Sequence, residues 1–469
     1  MSLGKQCFTL TKEEKLRKLV RETIHRPPAK QGVNMLRRCA LCFSTGKHLK
    51  LSYSVVRRLQ TNSVKNEETA DIVISGGGMV GAAMACALDK FGIRTCTVSP
   101  SSIDLFKSVG AWDEILQMRC HPVKRMQVWE SCSDALITFN DENLVDDIAY
   151  VVENDVIQEA LRRQLSKLSE RVDVRYSTSA SSFIIPGVTP GYDNINQNSW
   201  VTVNTTDDKT IKTKLLVGAD GAQSPVRKAG GFHTVGWNYK QTAVVATLKL
   251  SEVTENNVAW QRFLPTGPIA MLPLSDQHSN LIWTTTPEFA KHLKEIPEDS
   301  FVDAVNDALV SQIIADVSSN SIRQLPPTIG GVEAKSRASF PLALLHSSNY
   351  AHRIHPLAGQ GINLGFGDVK ELKDVLVEAV SFGSDPGSLS HLTKYESSRQ
   401  RKVLPVAATI DGLQKLYGTD FTPVVLLRTL GLQATNALSF IKVHLDTMKG
   451  EDAHNIQIQS QSIPQPPKS

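Results

Sequence analysis

The sequence predicts an α/β fold in which a domain built on a parallel sheet carries an inserted antiparallel β-sheet domain and is followed by a helical segment. Three observations lead to this prediction. The apolar run Ala70–Ser75 stops at a glycine-rich turn, as a buried strand of a parallel sheet often does. Between about residues 228 and 335, apolar or alternating runs are separated by turn residues, which is typical of an antiparallel sheet. After Gln360 the apolar residues recur at helical spacing.

Length and composition indicate a globular protein with more than one domain. The 469 residues are 41% apolar and 21% charged, and single cores stop growing at about 250–300 residues. The net charge of +4 is small, so no nucleic-acid-binding surface is expected. The 7 cysteines are odd in number and lie in the first third of the chain, which favours a reducing compartment. No run of about 18 apolar residues is present to span a membrane.

Residues 1–67 are predicted to be a leader that contains a mitochondrial transit peptide. From Met35 to Lys65 there are seven Lys or Arg residues, several Ser and Thr, and no Asp or Glu, which is the composition of such a peptide. Glutamates interrupt the basic pattern in residues 1–34, so Met35 is the expected start of translation. A disordered basic arm is the alternative.

A G-x-G-x-x-G motif, formed by Gly76, Gly78 and Gly81, joins the first strand to an alanine-rich segment that is predicted to be helical. Its glycines permit a tight turn, close approach of a pyrophosphate to the backbone, and close packing of the helix on the strand. The N-terminus of the helix then offers free N–H groups to phosphates. The motif therefore predicts a Rossmann-like dinucleotide site, with a glycine turn used only for packing as the alternative.

The second strand of this domain is expected at Arg94–Val98, which would complete a β-α-β unit. An acidic residue that holds the ribose hydroxyls ordinarily ends such a strand. Here Val98 is followed by Ser99-Pro-Ser-Ser, and the first acid, Asp104, falls inside the next predicted helix. The ribose ligand is therefore missing from its expected place.

Two further blocks carry site chemistry. Asp220-Gly-x-x-Ser224-x-x-Arg227 follows a short apolar strand, so an acid stands at a strand end, although a simple turn into a capped helix is the alternative. The second block, His355-Pro-Leu-Ala-Gly-Gln-Gly-Ile-Asn-Leu-Gly-Phe-Gly-Asp368, exposes backbone N–H groups at the start of a helix. Such N–H groups stabilise negative charge, for example on a reduced flavin ring.

In this order and at these separations, the three blocks resemble the aromatic-ring flavin monooxygenases of the p-hydroxybenzoate hydroxylase class, and within it the ubiquinone-biosynthesis hydroxylases. The likeness runs from about Ala70 to about Lys442. The segments that carry it most strongly are Arg125–Trp129, Val152–Val156, Val244–Leu250, Glu255–Phe263, Gly267–Leu274 and Leu426–Asn436.

The resemblance implies that FAD is the cofactor and that the flavin carries the chemistry, so no catalytic carboxylate pair, nucleophile or metal is needed, and the catalytic residues are unknown. Trp260, Arg262 and Phe263 are candidates for the substrate channel, with core packing as the alternative for the two aromatic residues. The implied FAD contacts are Gly76, Gly78 and Gly81 at the pyrophosphate, Asp220 near the phosphate and ribityl chain, and Pro356, Gly359, Gln360, Gly361 and Asn363 along the isoalloxazine.

The resemblance also implies the reaction and its surroundings. The reaction would be hydroxylation, with O2, of the C5 position on the aromatic ring of a polyprenylated phenol or benzoate. Electrons would come from a separate redox protein such as a ferredoxin system, and other ubiquinone-biosynthesis proteins would form a complex with the chain. The protein would lie on the matrix side of the mitochondrial inner membrane. Pro423–Leu445 could contact that membrane, with a terminal packing helix as the alternative.

The implied domain organisation is discontinuous. The ranges are residues 68–118, 151–227 and 336–400 for the FAD-binding domain, 119–150 and 228–335 for the substrate domain, 401–449 for C-terminal helices and 450–469 for a disordered tail.

Two segments of the family pattern are missing, one at the Val98/Ser99 join and one at the Tyr350/Ala351 join. The second of these should supply a strand that ends in Gly-Asp-Ala. The alternative function is therefore a catalytically impaired isoform, or a faulty gene model, that acts only as a partner in the biosynthetic complex. Flavin content distinguishes the two possibilities.

Overall fold

The computed structural model describes residues 6–10, 40–42, 53–54, 67–76, 95–133, 135–140, 147–176, 178–190, 200–221, 223–310, 324–347, 351–353 and 360–437. The described strands are β1 (Gln6–Leu10), β2 (Ala40–Cys42), β3 (Tyr53–Ser54), β4 (Glu67–Ser75), β5 (Thr95–Val98), β6 (Cys120–Val123), β7 (Arg125–Glu130), β8 (Leu136–Asn140), β9 (Ala149–Glu153), β10 (Val172–Val174), β11 (Ala180–Ile184), β12 (Val201–Thr205), β13 (Thr210–Gly218), β14 (Thr234–Leu250), β15 (Val258–Leu264), β16 (Gly267–Ser275), β17 (His278–Thr285), β18 (Ile329–Val332), β19 (Ala338–Ser347) and β20 (Ala351–Arg353). The described helices are α1 (Pro100–Ser108), α2 (Trp112–Leu116), α3 (Asn154–Ser166), α4 (Pro225–Ala229), α5 (Pro287–Glu295), α6 (Glu298–Val310), α7 (Gln360–Ser381), α8 (Leu389–Tyr417) and α9 (Thr422–Ala437).

The first sheet is built on two parallel strands, β4 and β13, whose register places Ile74 opposite Val217. Successive side chains of a strand point to opposite faces, and here each face is covered by its own core. Ile74 and Val217 belong to one buried cluster, whereas Val73 and Leu216 belong to another. Burial on both faces explains the continuous apolar runs in these strands. The strand order is β10-β1-β4-β13-β12-β11, with β2 beside β13 and β3 beside β1.

The expected β-α-β opening is wrong in its second strand. β5 does not pair with β4 but runs antiparallel to β9, which also pairs with β6 in a separate three-stranded sheet. Beside β4, on the side away from β13, the structure places β1 in antiparallel orientation. A run of four residues such as Thr95–Val98 carries no signal that distinguishes parallel from antiparallel pairing, so the partner could not be predicted from it. The predicted helix after the glycine turn lies outside the described residues.

The second sheet has nine strands, and β14, which is 17 residues long, pairs with β17, β18 and β19. β7 and β8 join it through β15, so segments far apart in sequence share one sheet. The predicted boundary at residues 335/336 is wrong, because β19 pairs with β14 and β20 pairs with β19 in this sheet. The antiparallel ladder between β14 and β19 runs from Thr234↔Ser347 to Val245↔Ala338. These strand pairs place residues 336–353 in the second sheet, although they lie close to the FAD motif in sequence. The assignment of 119–123 to this domain is also wrong, because β6 pairs with β9.

Helix α7 begins at Gln360, within the His355–Asp368 block, and packs on the first sheet. Phe366 and Leu372 of α7 share one buried cluster with Ile74 of β4 and with Val217 of β13. A buried ion pair joins α7 to α8, with 2.8 Å between Asp368 Oδ1 and Arg399 Nε. Burial raises the pKa of Asp368 to about 7, and the Arg399 charge opposes that rise. None of the helices in the described part of the chain is long and apolar enough to cross a membrane.

Helix α9 is fixed to the second sheet by another buried ion pair. Arg428 Nε donates to Glu130 Oε2 of β7 at 2.6 Å, and both side chains are almost fully buried. Arg428 Nη1 donates to the carbonyl oxygens of Leu416 and Thr419, and the Ser133 hydroxyl donates to the other Glu130 oxygen at 2.5 Å. These bonds satisfy both charged groups, which is the condition under which a buried pair can be tolerated.

We expect Glu130→Leu to lower the free energy of unfolding by about 3–5 kcal/mol, because Arg428 would remain buried without its counter-charge. Urea titration followed by circular dichroism measures this change. The Glu130→Leu, Arg428→Met double variant removes both charges and should recover most of the loss. Equal stability of the single variant and the wild type would contradict the role assigned to this pair.

Candidate functional site

The candidate site lies where the parallel strands β4 and β13 end side by side. The Ala219 N–H, just after β13, donates to the Ser75 carbonyl oxygen at the end of β4, with 2.6 Å between the two atoms. In open α/β sheets, ligands bind beyond the carboxyl ends of the strands. Gly76 and Asp220 follow directly on these two strand ends, so the structure brings together two residues that the sequence assigned to one cofactor.

Gly76 is required by the close approach of these two strand ends. Its φ of 122° lies in a region that residues with a side chain rarely adopt. A Cβ atom at this position would lie 2.1 Å from the Ala219 carbonyl oxygen and 2.4 Å from the Asp220 nitrogen. The first glycine of the motif therefore serves the contact between strands as well as the turn.

Asp220 connects the end of β13 to the start of α4. Its Oδ2 accepts a hydrogen bond from the Val226 N–H at 3.1 Å, and Ser224 Oγ accepts one from the Arg227 N–H at 2.9 Å. The predicted turn into a capped helix is therefore present. Only one oxygen of the Asp220 carboxylate takes part in this turn. The other, Oδ1, is buried and has no hydrogen-bond partner among the described residues.

Asp220 is a buried carboxyl group with a raised pKa. Burial raises the pKa of Asp220 to about 6, and hydrogen bonds from Ser224 and Val226 and the charge of Arg227 oppose that rise. Buried acceptors in folded proteins nearly always have a partner. A hydroxyl or N–H group of a ligand at the end of β13 would supply one for Oδ1.

Asn363, in the first turn of α7, ties that turn to β5 and α1. Its Oδ1 accepts from the Ser99 N–H at 3.0 Å and from the Ser102 hydroxyl at 2.8 Å. Its Nδ2 donates to the Thr97 carbonyl oxygen at 2.7 Å. Its side chain thus orients the start of the helix through contacts with the protein. Ser99 and Ser102 were not predicted as its partners, although two small hydroxyl residues at the start of a helix are a recognisable capping signal.

Other predicted cofactor residues differ in how far the structure describes them. Gly361 is half-buried in the first turn of α7, and Gln360 is described only as the first residue of that helix. Gly78, Gly81, Pro356 and Gly359 lie outside the described residues.

Trp260, Arg262 and Phe263, the candidates for a substrate channel, are all buried on β15. Trp260 makes an edge contact with Trp129, and Phe263 stacks on Tyr417 with 3.9 Å between ring centroids. Arg262 Nη1 donates to the Ala308 carbonyl oxygen at 2.9 Å. Core packing, the alternative for the two aromatic residues, therefore describes their contacts. In the described part of the chain, no three His, Cys, Asp or Glu side chains are grouped so as to hold a metal ion.

These features fit an FAD pyrophosphate and ribityl chain better than a purely structural turn. A glycine with positive φ and a buried, unpaired carboxylate oxygen lie together at the ends of two parallel strands. Helix α7 packs on the same sheet. The strand ends thus bring together a glycine backbone and a buried hydrogen-bond acceptor.

Comparison with known proteins agrees with this fit. The family described as FAD binding domain matches residues 69–408. The mitochondrial ubiquinone biosynthesis monooxygenase COQ6 of Xenopus tropicalis is 49% identical over 427 residues, covering 79% of this chain and 91% of the relative. The Homo sapiens protein of the same name is 47% identical over 427 residues, covering 79% and 90%.

A solved structure shows the same fold at low sequence identity. The p-nitrophenol 4-monooxygenase PnpA of Pseudomonas putida DLL-E4 matches with a TM-score of 0.60 and 14% identity, covering 81% of this chain and 97% of that protein. At this identity the match supports the fold alone.

In the alignment with the Xenopus tropicalis protein, some positions of the relative have no counterpart in this chain. This alignment extends over 427 positions yet covers only 79% of a 469-residue chain, so several dozen positions of the relative have no counterpart here. Missing internal segments, as the sequence pattern predicts at two joins, would produce gaps of this kind.

We expect Gly76→Ala to destabilise the protein and to lower its flavin content, because the new methyl group would overlap the backbone of β13. The strain of a positive φ costs about 1–3 kcal/mol, and the overlap adds to that cost. Gly383→Ala is the matched control, since Gly383 has a φ of 69° but no atom within 4 Å of the place that the new methyl group would take. Thermal unfolding should show a larger loss for Gly76→Ala, and equal losses would contradict the steric argument.

Asp220→Asn should stabilise the flavin-free protein at about pH 7.5, and this gain should shrink at about pH 5. The pKa of Asp220 is raised to about 6, so the folded state binds its proton tightly and loses stability as pH rises through that value. Asparagine stays neutral and avoids the loss, which is at most about 3 kcal/mol for a shift of roughly two pKa units. Unfolding temperatures of both proteins at the two pH values measure the effect. A difference that does not depend on pH would contradict it.

Proposed function

Because the chain belongs to the FAD binding domain family, and within it to the ubiquinone biosynthesis monooxygenases, we propose that it hydroxylates the aromatic ring of a polyprenylated phenol or benzoate intermediate in ubiquinone biosynthesis. The observation that carries this proposal is the likeness over residues 69–408, which includes both strand ends of the candidate site and the first turns of α7. The proposed ring position is C5, as the sequence resemblance implies.

Bound FAD would supply the redox chemistry, in which O2 is activated and one oxygen atom is transferred to the ring. The residues of the chain would bind the cofactor and hold the elements around it in place. Gly76 keeps the ends of β4 and β13 in contact, and Asp220 Oδ1 offers an acceptor beside them. Asn363 fixes the start of α7, and the ion pair between Asp368 and Arg399 holds the next turn of that helix against α8.

The proposed location is the matrix side of the mitochondrial inner membrane, with peripheral contact. The names of the relatives and the basic, acid-free stretch Met35–Lys65 support a mitochondrial location. We also propose that electrons come from a separate redox protein such as a ferredoxin system, since the sequence contains no complete second dinucleotide motif. Association with other ubiquinone-biosynthesis proteins is part of the same proposal.

The alternative, a catalytically impaired isoform that acts only as a partner, is not favoured by the comparisons. The frog relative is covered over 91% of its length despite the gaps, and the family match includes the glycine motif and the α7 block together.

We expect the purified full-length chain to release FAD on denaturation. With a chemical reductant, O2 and a short-tailed polyprenyl phenol, it should form the ring-hydroxylated product, detected by mass spectrometry. Gly76→Ala serves as the control with reduced flavin content. A folded, colourless protein that takes up no added FAD would refute the proposed function.

A further inference from the structure

Helix α9 presents its polar side to the protein and its apolar side to solvent. Arg428 is 4% exposed and contacts the second sheet. On the other side, three leucines are exposed, Leu426 by 60%, Leu427 by 67% and Leu430 by 63%, and Phe421, which directly precedes the helix, is exposed by 62%. An ordinary surface helix has the opposite orientation, with its apolar stripe towards the core. We call these four side chains the α9 face.

The rotation of α9 about its own axis is set by the bonds of Arg428. This side chain binds the Glu130 carboxylate and two carbonyl oxygens at the end of α8. Its guanidinium lies 5.1 Å from the centre of the Tyr417 ring. Rolling the helix to bury the leucines would leave Glu130 buried and unpaired, which is costly. The α9 face is therefore held outward.

The α9 face is large and uncharged, which favours contact with an apolar partner. Four large side chains that are each exposed by more than half amount to several hundred Å², and soluble monomers rarely expose contiguous apolar patches beyond that range. Within Thr422–Ala437 the single charged residue is Arg428, and that residue faces inward. The exposed acid nearby is Asp420, which precedes the helix at its N-terminal rim.

A cation and an indole contact each other near the end of α8, six residues before Phe421 in the chain. The cation, Lys415, also forms an ion pair with Asp411 at 2.7 Å. Lys415 has 63% of its side chain exposed, and its Nζ lies 5.1 Å from the centre of the Trp237 ring, which is 43% exposed. Val235 is on the same side of β14, two residues away, and is 67% exposed. Trp and Lys are enriched where proteins meet the boundary between lipid headgroups and acyl chains.

We infer that the α9 face docks on the surface of a phospholipid bilayer, with Trp237 and Lys415 at the headgroup level. The inference rests on the proposed function, because a substrate with a polyprenyl tail resides in the bilayer. The uncharged apolar side chains and the flanking Lys and Trp are the chemistry that a lipid surface recognises. A second copy of the chain and the residues that follow 437 are the competing occupants of this face.

The test uses the full-length, flavin-loaded protein and flotation with unilamellar vesicles of phosphatidylcholine and phosphatidylglycerol. We expect the wild type to float with the vesicles. The triple variant Leu426→Gln, Leu427→Gln, Leu430→Gln should bind them at least tenfold more weakly. The matched control replaces three exposed leucines elsewhere, as Leu116→Gln, Leu168→Gln, Leu325→Gln, and should bind like the wild type.

Three outcomes would overturn the inference. They are a wild type that does not float, a triple variant that floats like the control, and a wild-type dimer in light scattering that the triple variant converts to monomers. Flavin content and hydroxylation of a short-tailed, water-soluble phenol are measured on the same samples. A wild type that contains no flavin or does not hydroxylate the phenol refutes the proposed function. A triple variant that keeps flavin and hydroxylation but no longer floats with the vesicles supports the docking surface.

Discussion

The contact between the ends of β4 and β13 is the constraint on which the candidate site depends. The hydrogen bond from the Ala219 N–H to the Ser75 carbonyl brings two backbones so close that only glycine can follow β4. The same contact places Asp220 at the carboxyl end of the interior strand β13, where burial raises its pKa. Its Oδ1 has no hydrogen-bond partner among the described residues. The close approach that excludes a side chain at Gly76 therefore also brings a buried carboxylate oxygen beside the two strand ends.

The two large sheets use buried charge in a similar way. Asp368 and Arg399 hold α7 against α8, while Glu130 and Arg428 hold α9 against the second sheet. Buried ion pairs contribute little net stability, but breaking one is expensive, so each pair restricts how its helix can be oriented. For α7 the consequence is a fixed position against α8, and for α9 it is an apolar side that faces outward.

The sequence predicted those parts of the fold that depend on local pattern. The buried strand at Ala70–Ser75 and the helices after Gln360 follow from hydrophobic periodicity, and the structure contains them with shifted boundaries. The pairing of Thr95–Val98 could not be predicted, because a strand of four residues does not specify its partner. The place of β19 was also missed, since its ladder with β14 joins residues about a hundred positions apart in sequence. Asn363 was found through its motif, but its bonds to Ser99 and Ser102 depend on the tertiary structure.

Asp220 Oδ1 is the proposed acceptor for a donor group on FAD, and proton linkage tests that role most directly. If FAD donates a hydrogen bond to this oxygen, its binding will stabilise the ionised carboxylate and lower the pKa of Asp220 from about 6. Calorimetric titration of flavin-free protein with FAD at about pH 6, in buffers of different ionisation enthalpy, counts the protons released. We predict a net proton release by the wild type that is absent in Asp220→Asn. FAD binding with the same proton balance in both proteins, or no FAD binding by the folded wild type, would contradict the role of Asp220.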